Sequence, residues 1–306
     1  MDLLRRALSS NQVNHGAPGD FAELYRTNLI WNNISSITIA VIDFLHTFPD
    51  EVRLMWPTAF SIPKLLYFFV RYWVFVNGIL AASTTGSLFP TENTSEQCVV
   101  NIKGAIVTAP ILLIGAEGIL FYRVWAFSGK DKRMLIYLIV QFIVIHVLLF
   151  YFVIRFMTTV KFARWQLPNN TTICMVSEGA NTLLGASFVA LLLSVTSAMA
   201  IMVLVAYRQH RGFDSRLLTT FYRDGIFYFV CLAGMASLNV ACNWLAYGGY
   251  KYIFVQFEMV AHCILSTRML LHLRELTFSW EGRSQPPTAH YHQTSRKSLA
   301  RRSGDQ

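Results

Sequence analysis

The chain has 306 residues, 54% of them hydrophobic and only 14% charged, with a mean hydropathy of +0.41 and a formal net charge of +9. Soluble domains average about 25% charged residues, so this balance, with 23 Phe, 13 Tyr and 7 Trp, excludes an ordinary soluble domain and points to lipid as the solvent. The basic residues lie between apolar runs, which is the pattern of membrane topology and not of a nucleic-acid partner.

Residues 1–28 are polar and lack the apolar core of a secretory signal, so the first span is expected to act as its own targeting signal. Seven runs are long enough to cross a bilayer, which takes about 20 apolar residues: Leu29–Phe48, Lys64–Thr84, Ile102–Phe127, Met134–Ile154, Asn181–Tyr207, Asp224–Ala246 and Tyr250–Leu273. Their apolar residues are continuous, so they predict helices and not barrel strands. The expected fold is all-α, an integral membrane seven-helix bundle over residues 29–273. It follows an extracellular tail of residues 1–28 and precedes a disordered, basic cytoplasmic tail of residues 274–306. A polar turn separates the first two spans, and Tyr247, Gly248 and Gly249 join the last two.

Most of the 26 Lys and Arg residues fall on one side of this threading if the N-terminus is outside and the C-terminus cytoplasmic. The glycosylation sequons at Asn93, Asn169 and Asn170 then lie in outer loops. So do Cys98 and Cys174, which an oxidising compartment would join in a disulfide; two free thiols are the alternative. Cys231, Cys242 and Cys263 fall within spans and read as packing residues. The predicted location is the plasma membrane or another secretory-pathway membrane.

Charges inside a bilayer are costly unless paired. Asp43 and Arg71, in adjacent spans, both fall roughly 7–10 Å from the inner boundary. They are either an ion pair that fixes the register of the first two helices or a switch or proton site, with Glu117 a competing partner for Arg71. Glu117 lies between Gly115 and Gly118, which allow a neighbouring helix to approach closely. Arg123, near the inner end of the third span, is expected to snorkel.

A second polar group lies in the outer half. Asn239 and Asn243 share one face of the sixth span, and Glu258 and His262 one face of the seventh. His146 on the fourth has similar depth. Together they are either hydrogen-bonding glue between helices or a candidate ligand pocket open to the outside. Ala233, Ser237 and Ala241 form a small-residue stripe suited to close packing. Glu258 and His262 are too few ligands for a metal site, no catalytic motif is present, and neither enzymatic activity nor a cofactor is expected.

Asp43-Phe44-Leu45, Thr47, Glu51-Val52, Trp56, Lys64, Leu66, Phe69 and Arg71-Tyr72 resemble the N-terminal signature of uncharacterised multi-pass membrane proteins of mushroom-forming fungi. That group is defined by an N-terminal domain of unknown function. Glu117, Arg123-Val124-Trp125-Ala126 and Leu273-Arg274-Glu275-Leu276 are also similar to it. The resemblance implies a seven-helix membrane protein, often regarded as receptor-like, and supplies no catalytic residue or ligand. The expected role is receptor-like, with an extracellular small ligand and a cytoplasmic signalling partner. The alternative is a transporter or channel that uses Asp43, Arg71, Glu117 and Glu258 as a polar path.

Overall fold

A computed structural model of the chain describes residues 18–85, 95–166, 172–178, 181–210, 216–245, 252 and 254–284. Among them are seven helices: α1 Pro18–Leu54, α2 Ile62–Thr85, α3 Ser95–Phe127, α4 Lys132–Thr159, α5 Asn181–His210, α6 Arg216–Leu245 and α7 Val255–Ser284. Between α4 and α5 runs an antiparallel hairpin, β1 Lys161–Gln166 with β2 Thr172–Glu178, which places Arg164 opposite Cys174. This hairpin, predicted as a plain loop, packs against α3 and touches α2. The helical bundle is as expected, with that one strand pair added.

Six helices are long and apolar enough to cross a membrane, over Thr27–Leu54, Ile62–Thr84, Val99–Phe127, Lys132–Thr159, Thr182–Val205 and Gly225–Leu245. α7 is long but less apolar. It packs against α1, α2, α3 and α6, and most of its residues from Gln256 to Leu271 are buried. A helix wrapped by protein has no need of the apolar surface that lipid demands. α3 is the second central helix, packed against α2, α4, α5 and α7.

The outer helices are turned inside out relative to soluble ones. On α1 the buried positions are Asn33, Ser36, Ala40, Asp43, Thr47, Glu51 and Leu54, a stripe at three- and four-residue spacing. Ile42, Leu45, Phe48 and Val52 face outward. α4 likewise presents Ile139, Ile143, Val147 and Ile154 outward and buries Leu138, His146, Leu149 and Val153. Lipid tails are as apolar as leucine, so association rests on close packing and hydrogen bonds. A Cβ on Gly115 would lie 2.7 Å from both Phe69 and Val70, whereas one on Gly118 would come no nearer than 3.4 Å to Leu66. Gly115 is therefore the residue that sets the α2–α3 approach.

Several expected boundaries move: α1 begins at Pro18, inside the expected tail, α3 at Ser95 and α6 at Arg216, and two further shifts bear on the charged residues. α1 continues through Pro49 to Leu54 and does not stop at Phe48. Proline within a helix costs about 3 kcal/mol, which the burial of Glu51, Leu54 and Met55 inside the bundle opposes. The helix then closes where the Met55 and Trp56 amides both donate to the Glu51 carbonyl, at 2.8 and 3.3 Å. Lys64 donates to the Trp56 and Thr58 carbonyls and ties down the short connection to α2. At the other end, the tail boundary at residue 274 falls inside α7, which runs on to Ser284. An exposed Arg53–Glu275 pair at 3.7 Å and Arg53 over the Phe278 ring hold these last turns against α1.

Gly129 and Lys130 both take positive φ, 75° and 60°, in the tight turn between α3 and α4. Asp131 then caps α4 by accepting the Arg133 amide at 3.2 Å. The stripe Ala233, Ser237 and Ala241 expected on the sixth span is not the buried face: Ser237 is exposed, and α6 buries Phe229, Leu232, Ala236, Asn239 and Asn243 instead. The two asparagines carry the interface because they bring hydrogen bonds as well as packing. Asn93, Asn169, Asn170, the turn Tyr247–Gly249 and the tail beyond residue 284 lie outside the described residues.

Candidate functional site

Where α1 ends and α2 begins, four charges meet. Arg71 is buried, and its Nε donates to Glu51 Oε2 at 2.5 Å. Its Nη1 lies 3.5 Å from Asp43 Oδ2, and its Nη2 donates to the Phe44 carbonyl at 3.0 Å. The guanidinium also lies over the Phe44 ring, 4.7 Å from its centroid. Glu51, fully buried, accepts further bonds from the Tyr67 hydroxyl at 3.3 Å, the Tyr72 hydroxyl at 3.1 Å and the Trp56 indole at 3.3 Å. Asp43 gives its other oxygen to Arg268 Nε on α7. Two carboxylates and two guanidiniums thus cancel, and both carboxylates are saturated with donors. Three helices are joined at one point.

The expected meeting of Asp43 and Arg71 occurs, but Glu51 is the closer partner of Arg71 and Arg268 is a second partner of Asp43. Glu117, the competing partner, lies in a different cluster. Glu51 was placed in a turn because Pro49 interrupts the apolar run. The signal that would have found it is the buried stripe of α1, which continues in register from Asp43 through Thr47 to Glu51. Arg268 lies within the seventh expected span, where a charge needs a partner, and it finds Asp43.

The second cluster lies across the centre of the bundle. Asn239 on α6 donates to Glu258 on α7 and to the Phe254 carbonyl at 3.1 Å, so the depth match expected for these two residues holds. Ser194 on α5 donates to Glu117 Oε2 on α3 at 2.8 Å. His146 Nδ1 must carry a proton, because its partner at 2.8 Å is the Phe142 carbonyl. Its Nε2 faces Glu117 Oε2 at 3.9 Å, beyond hydrogen-bond reach. Neither Glu117 nor Glu258 meets an arginine or lysine among the described residues. Glu117 Oε1, Glu258 Oε1 and both ring nitrogens of His262 have no hydrogen-bond partner among the described residues. Asn243 is buried on the same face of α6.

Arg123 does not snorkel. It is buried, stacks over Phe127 and lies so close to α6 that a Cβ on Gly225 would meet its Nη2 at 2.8 Å. Cys231, Cys242 and Cys263 are free, as expected of packing residues. The backbones of Cys98 and Cys174 lie in α3 and β2, while their side chains are outside the described ones.

Besides an open groove of about 470 Å³ that His146 helps to line, the structure has a cavity of about 220 Å³ away from the expected pocket. None of Asn239, Asn243, Glu258, His262 and His146 lines it. Its wall takes Asn33 from the early part of α1, Asn77 near the end of α2, Ile106 in the first half of α3, Val153 near the end of α4, Phe188 early in α5 and Gln256 at the start of α7. Those helix ends therefore gather at one end of the bundle, opposite the Asp43–Glu51–Arg71–Arg268 knot. Glu258 and His262 are on the right helix but face α6 and the bundle centre. The residues on either side of Glu258, namely Gln256 and Met259, face the cavity.

Residues 31–76 match a family described as "Family of unknown function (DUF6533)". The match covers most of α1 and the first part of α2, including Asp43, Glu51, Trp56, Tyr67, Arg71 and Tyr72, so three of the four charges of the knot belong to it. It carries neither a source organism nor a number of helices, and no curated protein matches the chain. The chain is a multi-pass membrane protein whose one matched segment holds the charged knot together.

Proposed function

We propose that the chain is a non-enzymatic, receptor-like membrane protein that takes a small ligand in the 220 Å³ cavity and passes the change to the opposite end of the bundle. The observation that carries this reading is shared helices. α7 supplies Gln256 and Met259 to the cavity and Arg268 to the knot. α2 supplies Asn77 to the one and Arg71 to the other. Twelve residues of helix, about 18 Å, separate Gln256 from Arg268. A ligand that tilts α7 would be felt at the Arg268–Asp43 contact, whose arginine side chain is 42% exposed and free to turn to water.

The N-terminus is proposed to face outside and the C-terminus the cytoplasm, in line with the Lys and Arg balance. The turn Ser128–Arg133 and the segment 208–223 would then be read by a cytoplasmic partner. Cys98 and Cys174 are proposed to form a disulfide, supported by the packing of α3 against β2. Mass mapping of the unreduced protein should recover the cross-linked peptide; free alkylation of both thiols would rule the bond out.

A direct test uses spin labels at Lys130 and Thr277, both exposed. Ala109→Phe, which fills the cavity, should shift the distance distribution between them. An unchanged distribution would break the link between the two ends. A transporter is the second reading, favoured by the unpartnered oxygens of Glu117 and Glu258 in the bundle centre. Substrate flux in proteoliposomes that Glu117→Gln abolishes would establish it instead.

A further inference from the structure

We propose that the cavity binds an uncharged, mainly hydrocarbon molecule of about nine heavy atoms that carries a hydroxyl group; this rests on reading the cavity as the ligand site. Size comes first. A cavity of about 150 Å³ lined by Leu, Ile and Phe accommodates benzene, so about 220 Å³ takes roughly half as much again. The apolar wall includes Ile106, Leu113, Leu149, Val153, Phe156 and Leu191, and among the described residues no Asp, Glu, Lys, Arg or His lines it. A charged ligand would lose its hydration there with no opposite charge to receive it.

Of the four amides in the wall, Asn32, Asn33, Asn77 and Gln256, the last two keep a buried polar atom without a partner among the described residues. Asn77 on α2 is buried, and its Nδ2 donates to the Ala105 carbonyl at 3.2 Å and to Thr108 Oγ1 at 2.9 Å. The Ala105 carbonyl can only accept, so the amide orientation is fixed and Oδ1 is left as an acceptor with no partner among the described residues. Gln256 on α7 is 9% exposed, and its Nε2 is a donor with no partner among them. Buried polar atoms are rarely left unpaired. One is short of a donor and the other of an acceptor, and a hydroxyl offers both. A ketone offers only an acceptor and an alkane neither.

The test uses the full chain in phosphatidylcholine nanodiscs with radiolabelled nonan-1-ol, nonane and nonanoate, each corrected for partition into empty nanodiscs. Nonan-1-ol should bind saturably and more tightly than nonane or nonanoate. Gln256→Met keeps the side-chain length but loses the donor, and should weaken nonan-1-ol about five-fold, the worth of one neutral hydrogen bond, while leaving nonane unchanged. Ala109→Phe should abolish binding of every probe. Equal affinity for nonane and nonan-1-ol, with no effect of Gln256→Met, would overturn the hydroxyl class and leave the cavity as a ligand site; it would mean that water alone satisfies the two amides. No saturable binding of any probe, or binding that Ala109→Phe leaves intact, would overturn the site itself. The spin-label experiment remains independent of either result.

Discussion

The knot at the α1–α2 turn and the cluster at the bundle centre use similar residues and reach opposite outcomes. At the knot Asp43, Glu51, Arg71 and Arg268 balance in charge, and Glu51 alone collects one guanidinium, two hydroxyls and an indole. At the centre neither Glu117 nor Glu258 meets an arginine or lysine among the described residues, and each keeps an oxygen without a partner there. A saturated, neutral constellation resists change, because removing any member strands another. A cluster with unmet polar atoms has room to change its contacts. The first is the part built for assembly, and the second the part left free to respond.

The largest effect should come from stranding a charge at the knot. Arg71→Gln leaves Glu51 ionised and buried with neutral donors only, and Glu51→Gln leaves Arg71 with the more distant Asp43. Breaking a buried pair by removing one partner costs about 3–5 kcal/mol, so each should lower the thermal unfolding midpoint steeply or prevent recovery of folded protein. The double variant Glu51→Gln/Arg71→Gln should recover part of that loss. Asp43→Asn/Arg71→Gln should recover less, because the Asp43–Arg71 distance is 3.5 Å and Asp43 has Arg268 as well. Additive losses in the Glu51 cycle would deny the pair.

A middle-sized effect is expected at the α2–α3 contact. Gly115→Ala places a methyl group 2.7 Å from Phe69 and Val70, and overpacking of this kind costs about 1–3 kcal/mol. Gly118→Ala, whose nearest neighbour would be 3.4 Å away, serves as the control and should be far milder. Similar melting points for the two would remove Gly115 from its role. The smallest effect at the knot belongs to Arg268→Gln, since a half-exposed partner is worth about 1 kcal/mol or less. A loss as large as that of Arg71→Gln would make Arg268 a full member of the buried pair.

Much of this architecture is legible in the sequence, for a physical reason. Lipid forces long apolar runs with internally bonded backbones, so seven runs are read from the sequence, six of them in helices long and apolar enough to cross a membrane, and the rarity of charge within them singles out Asp43, Arg71 and Glu117. Helical spacing also brought Asn239 and Glu258 to one depth, and they do bond. Facing is harder to read. Gln256, Glu258 and Met259 occupy neighbouring positions on α7, yet two line the cavity and one turns to α6, which depends on how four other helices surround it. Glu51 was hidden by Pro49, a residue that usually ends a helix but here does not. The β1–β2 hairpin is hidden because its strands, of six and seven residues, are short beside the apolar runs on either side.

The contrast between the two polar regions is tested most directly by one substitution made in each. Glu51→Gln and Glu258→Gln both replace a fully buried carboxylate by an amide of the same shape. At Glu51 the change strands Arg71, whereas Glu258 has no arginine or lysine to strand among the described residues, and the amide keeps an oxygen to accept from Asn239. Thermal unfolding of the two variants in the same nanodiscs should show a steep loss for Glu51→Gln and an unchanged or raised midpoint for Glu258→Gln. Equal losses at both positions would contradict the division of the bundle into a sealed end and a responsive centre.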